Sequence, residues 1–133
     1  METYKIDSLL ERGLTTENLV SFKPKFDRTI SFNTSSSFVV PKSSGVYFIT
    51  DFRGVLYIGE AQNLRSRFIQ HIFSEKNVNL KIATDNPCGD VMFHWIETSN
   101  KYKAIKIQKD WIRIFNPVCN HIKYKTNKEE ICQ

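Results

Sequence analysis

Two short runs of β-branched and aromatic residues, Gly45-Val46-Tyr47-Phe48-Ile49-Thr50 and Val55-Leu56-Tyr57-Ile58-Gly59, are separated only by Asp51-Phe52-Arg53-Gly54. The runs have the composition of strands and the spacer that of a turn, so the stretch reads as a β-hairpin. Nothing else in the chain limits its fold as strongly, because so apolar a hairpin must be covered by other elements. The hairpin also brings two phenols together. Tyr47 and Tyr57 are ten positions apart (57 minus 47), and on facing strands they can point to one side and approach each other. Each has a glycine two positions away, Gly45 or Gly59, where a second backbone or a phosphate can come close.

After the hairpin, Asn63 is placed to cap a helix that buries Leu64, Phe68, Ile72 and Phe73. Residues 77–90 are polar and read as turns. Val91-Met92-Phe93-His94-Trp95-Ile96-Glu97 reads as a third strand, in which His94 and Trp95 face opposite sides. Ser99 or Asn100 can cap a last long helix with Ala104, Ile107, Trp111 and Ile114 at helical spacing, and Asn116-Pro117 ends it. Ahead of the hairpin, residues 1–22 read as one or two short helices, with Ile6, Leu9 and Leu10 on one face. Residues 23–44 read as a loop holding at most one strand. The fold class expected is α/β (α+β): a small three-stranded mixed sheet flanked by helices, with an N-terminal extension over 1–44, a domain over 45–122 and a charged tail over 123–133.

A length of 133 residues suits one domain. Ten Phe, five Tyr and two Trp supply enough apolar surface for a core and argue against disorder throughout. No apolar run reaches the roughly 20 residues a membrane span needs. The first apolar stretch carries charges, unlike a signal peptide. Cys88, Cys119 and Cys132 are an odd number without a Cys-x-x-Cys, which argues against a disulfide framework or zinc finger and suits a reducing, intracellular compartment. Cys88 and Cys119 read as packed or exposed thiols rather than nucleophiles. The formal charge of +5 favours a polyanionic partner.

On the helix after the hairpin, Arg67 and His71 stand at i and i+4, on one face. Arg67 offers a planar fork that matches phosphate oxygens, and His71 can relay a proton near neutral pH.

These residues resemble the signatures of the GIY-YIG endonucleases. Gly45-Val46-Tyr47 matches the first and Tyr57-Ile58-Gly59 the second. Glu60 to Arg67 is similar to the run that follows them in the family. Trp111 to Asn120 resembles its closing helix and P-x-x-N turn. The resemblance spans about residues 45–120. It implies hydrolysis of DNA phosphodiesters with one divalent cation, Mg²⁺ or Mn²⁺. By resemblance, Tyr47 helps deprotonate the attacking water and Tyr57 orients that water or the phosphate. Arg67 binds the phosphate, His71 supports the base, and Asn120 holds the closing turn against the site. Gly59 of the second signature, Asn63 and Arg65 in the run after it, and Lys106 and Lys109 on the last helix, are the candidates for nucleic-acid contact. The expected partner is DNA, with RNA left open. Strong sequence specificity from so small a domain would need a homodimer or a protein partner.

One position departs from the family. Its metal-binding glutamate stands nine residues before the proline, and here residue 108 (117 minus 9) is Gln108. Glutamine keeps the shape but not the charge that a hard cation such as Mg²⁺ prefers. Three explanations stand: an engineered Glu-to-Gln change, a natural relative that binds nucleic acid without cutting it, or a carboxylate supplied from elsewhere. Asp110 is about 200° round the helix from residue 108 and faces away. Glu60 and Glu97 are the other carboxylates within reach. The expectation is an endonuclease whose cleavage is lost or strongly impaired, with a non-catalytic nucleic-acid-binding module as the alternative.

Overall fold

The computed structural model describes residues 24–120. The helices expected within 1–22 and the charged tail from 123 onward lie outside the described residues. Strands β1 (Arg28–Ser31), β2 (Gly45–Asp51), β3 (Gly54–Ala61) and β4 (Met92–Glu97) form one sheet in the order β1-β4-β2-β3. Helices α1 (Leu64–Phe73), α2 (Val78–Asp85) and α3 (Lys101–Phe115) flank it, and a 3-10 turn covers Thr34–Val39.

The α+β architecture is as expected, with two differences in the sheet. It has four strands among the described residues, because Arg28–Ser31 adds an edge strand on β4. Every pairing is antiparallel, so the sheet is not mixed. β3 and β4 do run the same way, but β2 lies between them and no parallel pair forms. The short β1 buries only Ile30, which left little apolar pattern to read.

The central strand β2 is buried on both faces, which explains its continuous apolar run. On one face Tyr47, Ile49, Phe93 and Trp95 pack with Leu64 and Phe68 of α1 and Leu80 and Ala83 of α2. On the other, Val46, Phe48 and Ile58 pack with Ala104, Trp111, Ile112 and Ile114 of α3. Asn63, Asn77 and Asn100 cap the three helices, each side chain accepting a backbone N–H from the first turn. α3 stops where Asn116 turns left-handed (φ 48°) ahead of Pro117.

Two local expectations are corrected. Phe73 is 71% exposed, because five residues past Phe68 is about 140° round the helix, whereas Ile72 stays against the core. Residues 78–85, expected as turns, form α2. Only Leu80 and Ala83 of it are buried, too few to show a periodicity. Among the described residues no helix is long and apolar enough to cross a membrane.

Candidate active site

The site is built on the hairpin register. Tyr47 pairs with Gly59, and Tyr57 lies diagonally from it, opposite Ile49. Both phenols project to the α1 side, with ring centroids 6.1 Å apart. Tyr47 is fully buried, stacked on Phe93 at 5.2 Å. The position facing it must be glycine, because a Cβ at residue 59 would collide with the Tyr47 phenol oxygen and its ring carbon. Gly59 therefore gives room to the Tyr47 ring.

α1 brings the remaining groups. His71 Nε2 lies 2.6 Å from Tyr47 Oη. Its other nitrogen, Nδ1, lies 2.5 Å from Oε1 of Glu75, a residue that the sequence reading passed over. Glu75 Oε2 in turn accepts the backbone N–H of Asn77 at 3.0 Å. One turn before His71, Arg67 Nη1 donates to the Glu60 carbonyl at 3.2 Å. The rest of the Arg67 fork faces two clefts. One is shared with Gln70, His71, Ser74 and Lys76. The other lies between α1 and the start of α3, bordered by Glu60, Asn63, Ser66 and Lys101. Tyr47, Tyr57, Arg67 and His71 are thus gathered at one place.

Burial decides the charge of the phenols. It raises Tyr47 well above the ordinary value of 10.0, and the neighbouring Tyr57 adds to this; the Arg67 charge pulls the other way and loses. Burial likewise raises Tyr57, again against Arg67. Burial alone would also raise Glu75, but the hydrogen bonds from His71 and from Asn77 N–H hold it below the usual glutamate value. The cluster therefore holds two protonated phenols beside an ionised carboxylate. Tyr47 can take a proton from water only by giving up its own, and the acceptor within reach is His71.

Asn120 closes the exposed edge of β3. Its side chain accepts Ile58 N–H at 3.0 Å and donates to Ile58 C=O at 2.8 Å, doing the work of a fifth strand. The adjacent Cys119 N–H donates to Leu56 C=O, and Asn77 Nδ2 to Cys119 C=O. The chain segment that carries Glu75 is thereby tied to the closing turn.

Other candidates have different tasks. Arg65 donates to the carbonyls of Val40 and Phe38, pinning the 3-10 turn. Lys106 Nζ is 2.9 Å from Asp110. Asn63 caps α1 and also borders the cleft. Lys109 is exposed.

Gln108 is half-buried on α3, the helix that packs on the sheet face opposite the tyrosines. By helical spacing it follows Lys101 and Ile105, which border the cleft beside Glu60. Among the described residues no three His, Cys, Asp or Glu side chains are grouped to hold a metal ion. Glu75 is engaged by His71 and Asn77, and Glu60 shares its cleft with two cations, Arg67 and Lys101. With a neutral amide at 108, this donor set does not suit a hard divalent cation.

Comparison with known proteins agrees with the fold. The sequence model of a family described as the GIY-YIG catalytic domain matches residues 43–125. UvrABC system protein C of Streptomyces griseus is 31% identical over 90 residues, or 67% of this chain and 12% of its own length. The same protein of Aquifex aeolicus is 31% identical over 84 residues, 60% of this chain and 14% of its own. The chain thus matches only about one-eighth of the length of these relatives. Among solved structures, the GIY-YIG N-terminal endonuclease domain of UvrC from Thermotoga maritima, bound to its catalytic magnesium, has the same fold. The TM-score is 0.54 at 20% identity, covering 65% of this chain and 92% of that one.

Proposed function

The chain belongs to the GIY-YIG family, and from that premise we propose that it is a DNA phosphodiesterase domain of endonuclease type whose cleavage is suppressed at residue 108. The observation that carries this reading is the convergence of Tyr47, Tyr57, Arg67 and His71 beside open clefts. A phosphodiester is an anion, so attack by water needs a positioned cation and a route for the water's proton. Arg67 supplies the cation, with a fork that matches two phosphate oxygens. Tyr57 orients the water. Tyr47 takes its proton while passing its own to His71 Nε2. A divalent cation, when bound in an active relative, supplies further charge neutralisation at the phosphate. Here Gln108 offers only a neutral carbonyl at that post. DNA as substrate, Mg²⁺ or Mn²⁺ as the cofactor of an active form, and an intracellular setting belong to this proposal.

The test is cleavage of plasmid and branched DNA by this chain and by Gln108→Glu, with and without Mg²⁺ or Mn²⁺. The expected result is metal-dependent cutting by the Glu variant, about 100-fold or more above the unaltered chain, because a lost metal carboxylate removes a main source of transition-state charge stabilisation. Cutting by neither protein, with salt-sensitive DNA binding retained by both, would replace this reading with a non-catalytic nucleic-acid-binding module.

A further inference from the structure

We infer that Glu75 is a positioning residue that fixes the tautomer of His71 and so sets the direction in which Tyr47 gives up its proton; this rests on the phosphodiesterase reading above. Glu75 stands two residues beyond the end of α1, yet its side chain turns back and is only 9% exposed, against 8% for His71. Its backbone continues into Asn77, whose N–H returns to the second carboxylate oxygen. Both oxygens are thus engaged, which is the arrangement of a fixed orienter and not of a mobile surface charge.

The consequence follows from donor and acceptor inventories. An ionised carboxylate only accepts, so the proton on the His71 ring lies on Nδ1, facing Glu75. In the neutral ring Nε2 is then a lone pair, and it faces the Tyr47 hydroxyl at 2.6 Å. Tyr47 must donate to it. The lone pairs of the Tyr47 oxygen then face Arg67 and Tyr57, which lie within hydrogen-bonding range of it, and in the proposed step the water takes one of these positions. In the step, a water O–H bond breaks as a new Tyr47 O–H bond forms, and the former Tyr47 proton moves to His71 Nε2. The resulting hydroxide adds to phosphorus, the ester P–O bond breaks, and the departing alkoxide takes a proton from solvent. The imidazolium so formed is stabilised by the Glu75 charge next to it. With the opposite tautomer His71 would donate to Tyr47, and the relay would have no acceptor.

The experiment is nitrogen-15 NMR of the histidine side chains in the full chain, at about pH 8.5, above the ordinary imidazole range. His71 is assigned with His71→Gln. His94, bonded at both nitrogens to threonine hydroxyls on the far side of the sheet, reports that the fold is intact. The expected result is His71 protonated on Nδ1 in the unaltered chain and in Glu75→Gln, whose amide oxygen can still accept, but moved towards Nε2 in Glu75→Ala. His71 protonated on Nε2 in the unaltered chain, or unmoved in Glu75→Ala, would overturn the inference. A second arm repeats the Glu75 variants on Gln108→Glu and follows cleavage against pH. Glu75→Ala should lose about 10- to 100-fold, with Glu75→Gln partly restoring it. If Gln108→Glu cuts nothing, the nuclease reading fails while the tautomer result still decides the role of Glu75. Equal rates for Glu75→Ala and its parent would overturn that role with the nuclease reading left standing.

Discussion

The sheet holds a histidine on each face, and the two are wired differently. His94 on β4 pairs with Phe48 and so lies on the α3 side. Thr29 and Thr50 hydroxyls sit 2.7 Å from its two nitrogens, and Phe26 stacks on it at 4.7 Å. His71 on the α1 side also has both nitrogens engaged, but by a phenol and a carboxylate, with Arg67 one turn away. Satisfaction of the ring is therefore not what separates them. Two hydroxyls can each donate or accept, so His94 gains no directed proton path and no charge to match its own. A phenol on one side and a fixed carboxylate on the other give His71 a direction. The first arrangement joins strands β1, β4 and β2; the second can move a proton.

The largest expected effect comes from exchanging the two. In a Gln108→Glu background, His71→Ala or Tyr47→Phe should lower cleavage by about 100- to 1000-fold, as removal of a proton-transfer group does. Their thermal stability should change far less than their activity. His94→Ala should do the reverse: lower melting temperature, with cleavage per folded molecule within about twofold, since deleting a hydrogen-bonded group costs mainly folding free energy. Cleavage kinetics and thermal melts on the same preparations read both. Loss of cleavage on the folded His94 variant would break the comparison.

A second change sharpens what holds the His71 side in place. Gly59→Ala adds one methyl group, and that methyl points at the Tyr47 ring. The ring cannot swing away freely, being stacked on Phe93 and bonded to His71. The expected cost is about 2–3 kcal/mol by denaturant unfolding, at the upper end for overpacking a filled core. Gly54→Ala, at a hairpin turn where φ is 107° but no atom crowds a Cβ, should suffer from its backbone conformation alone and leave the Tyr47–His71 contact intact. A crystal structure of Gly59→Ala with the phenol unmoved would refute the steric account.

Much of the site could be read from the sequence because its spacing is local. The hairpin, the three-residue offset between Asn63 and the N–H it caps, and the i, i+4 relation of Arg67 and His71 depend on neighbours along the chain. Glu75 continues the same spacing at 67, 71 and 75, and that signal was there to be used. The helix stops at Phe73, so the third member lies past its end, where helical spacing no longer fixes direction. The tasks of Arg65 and Gly59 could not be read, since they depend on which carbonyl or ring the fold places opposite them. The same is true of β1, whose pairing with β4 joins residues more than sixty positions apart, such as Arg28 with Trp95. That the sheet is wholly antiparallel could not be read for a similar reason: strand direction is visible in sequence only when strand order is known.

The smallest effect concerns His94 and pH. Burial lowers its pKa from 6.5 to about 4, because among the described residues the ring sits between apolar groups and threonine hydroxyls. Above about pH 6.5 the ring is neutral in both folded and unfolded chains, and the full contribution to stability is present. Between 6.5 and 4 the unfolded chain takes up a proton that the folded chain refuses, so stability falls as the pH falls, and the loss levels off below 4. With the ring partly open to solvent, the change is about 2 kcal/mol rather than the full value of the shift. Asp51 acts in a separate, lower window. The Arg53 guanidinium beside it, with the N–H groups of Cys88 and Arg53, lowers its pKa to about 2, so its contribution is lost only as pH falls from about 3.8 towards 2. Urea unfolding at pH 7.5, 5 and 4 should therefore show a decline that His94→Gln flattens and Asp51→Asn does not. If His94→Gln kept the slope, the uptake would belong to another group, and the two histidines would differ less than their partners indicate.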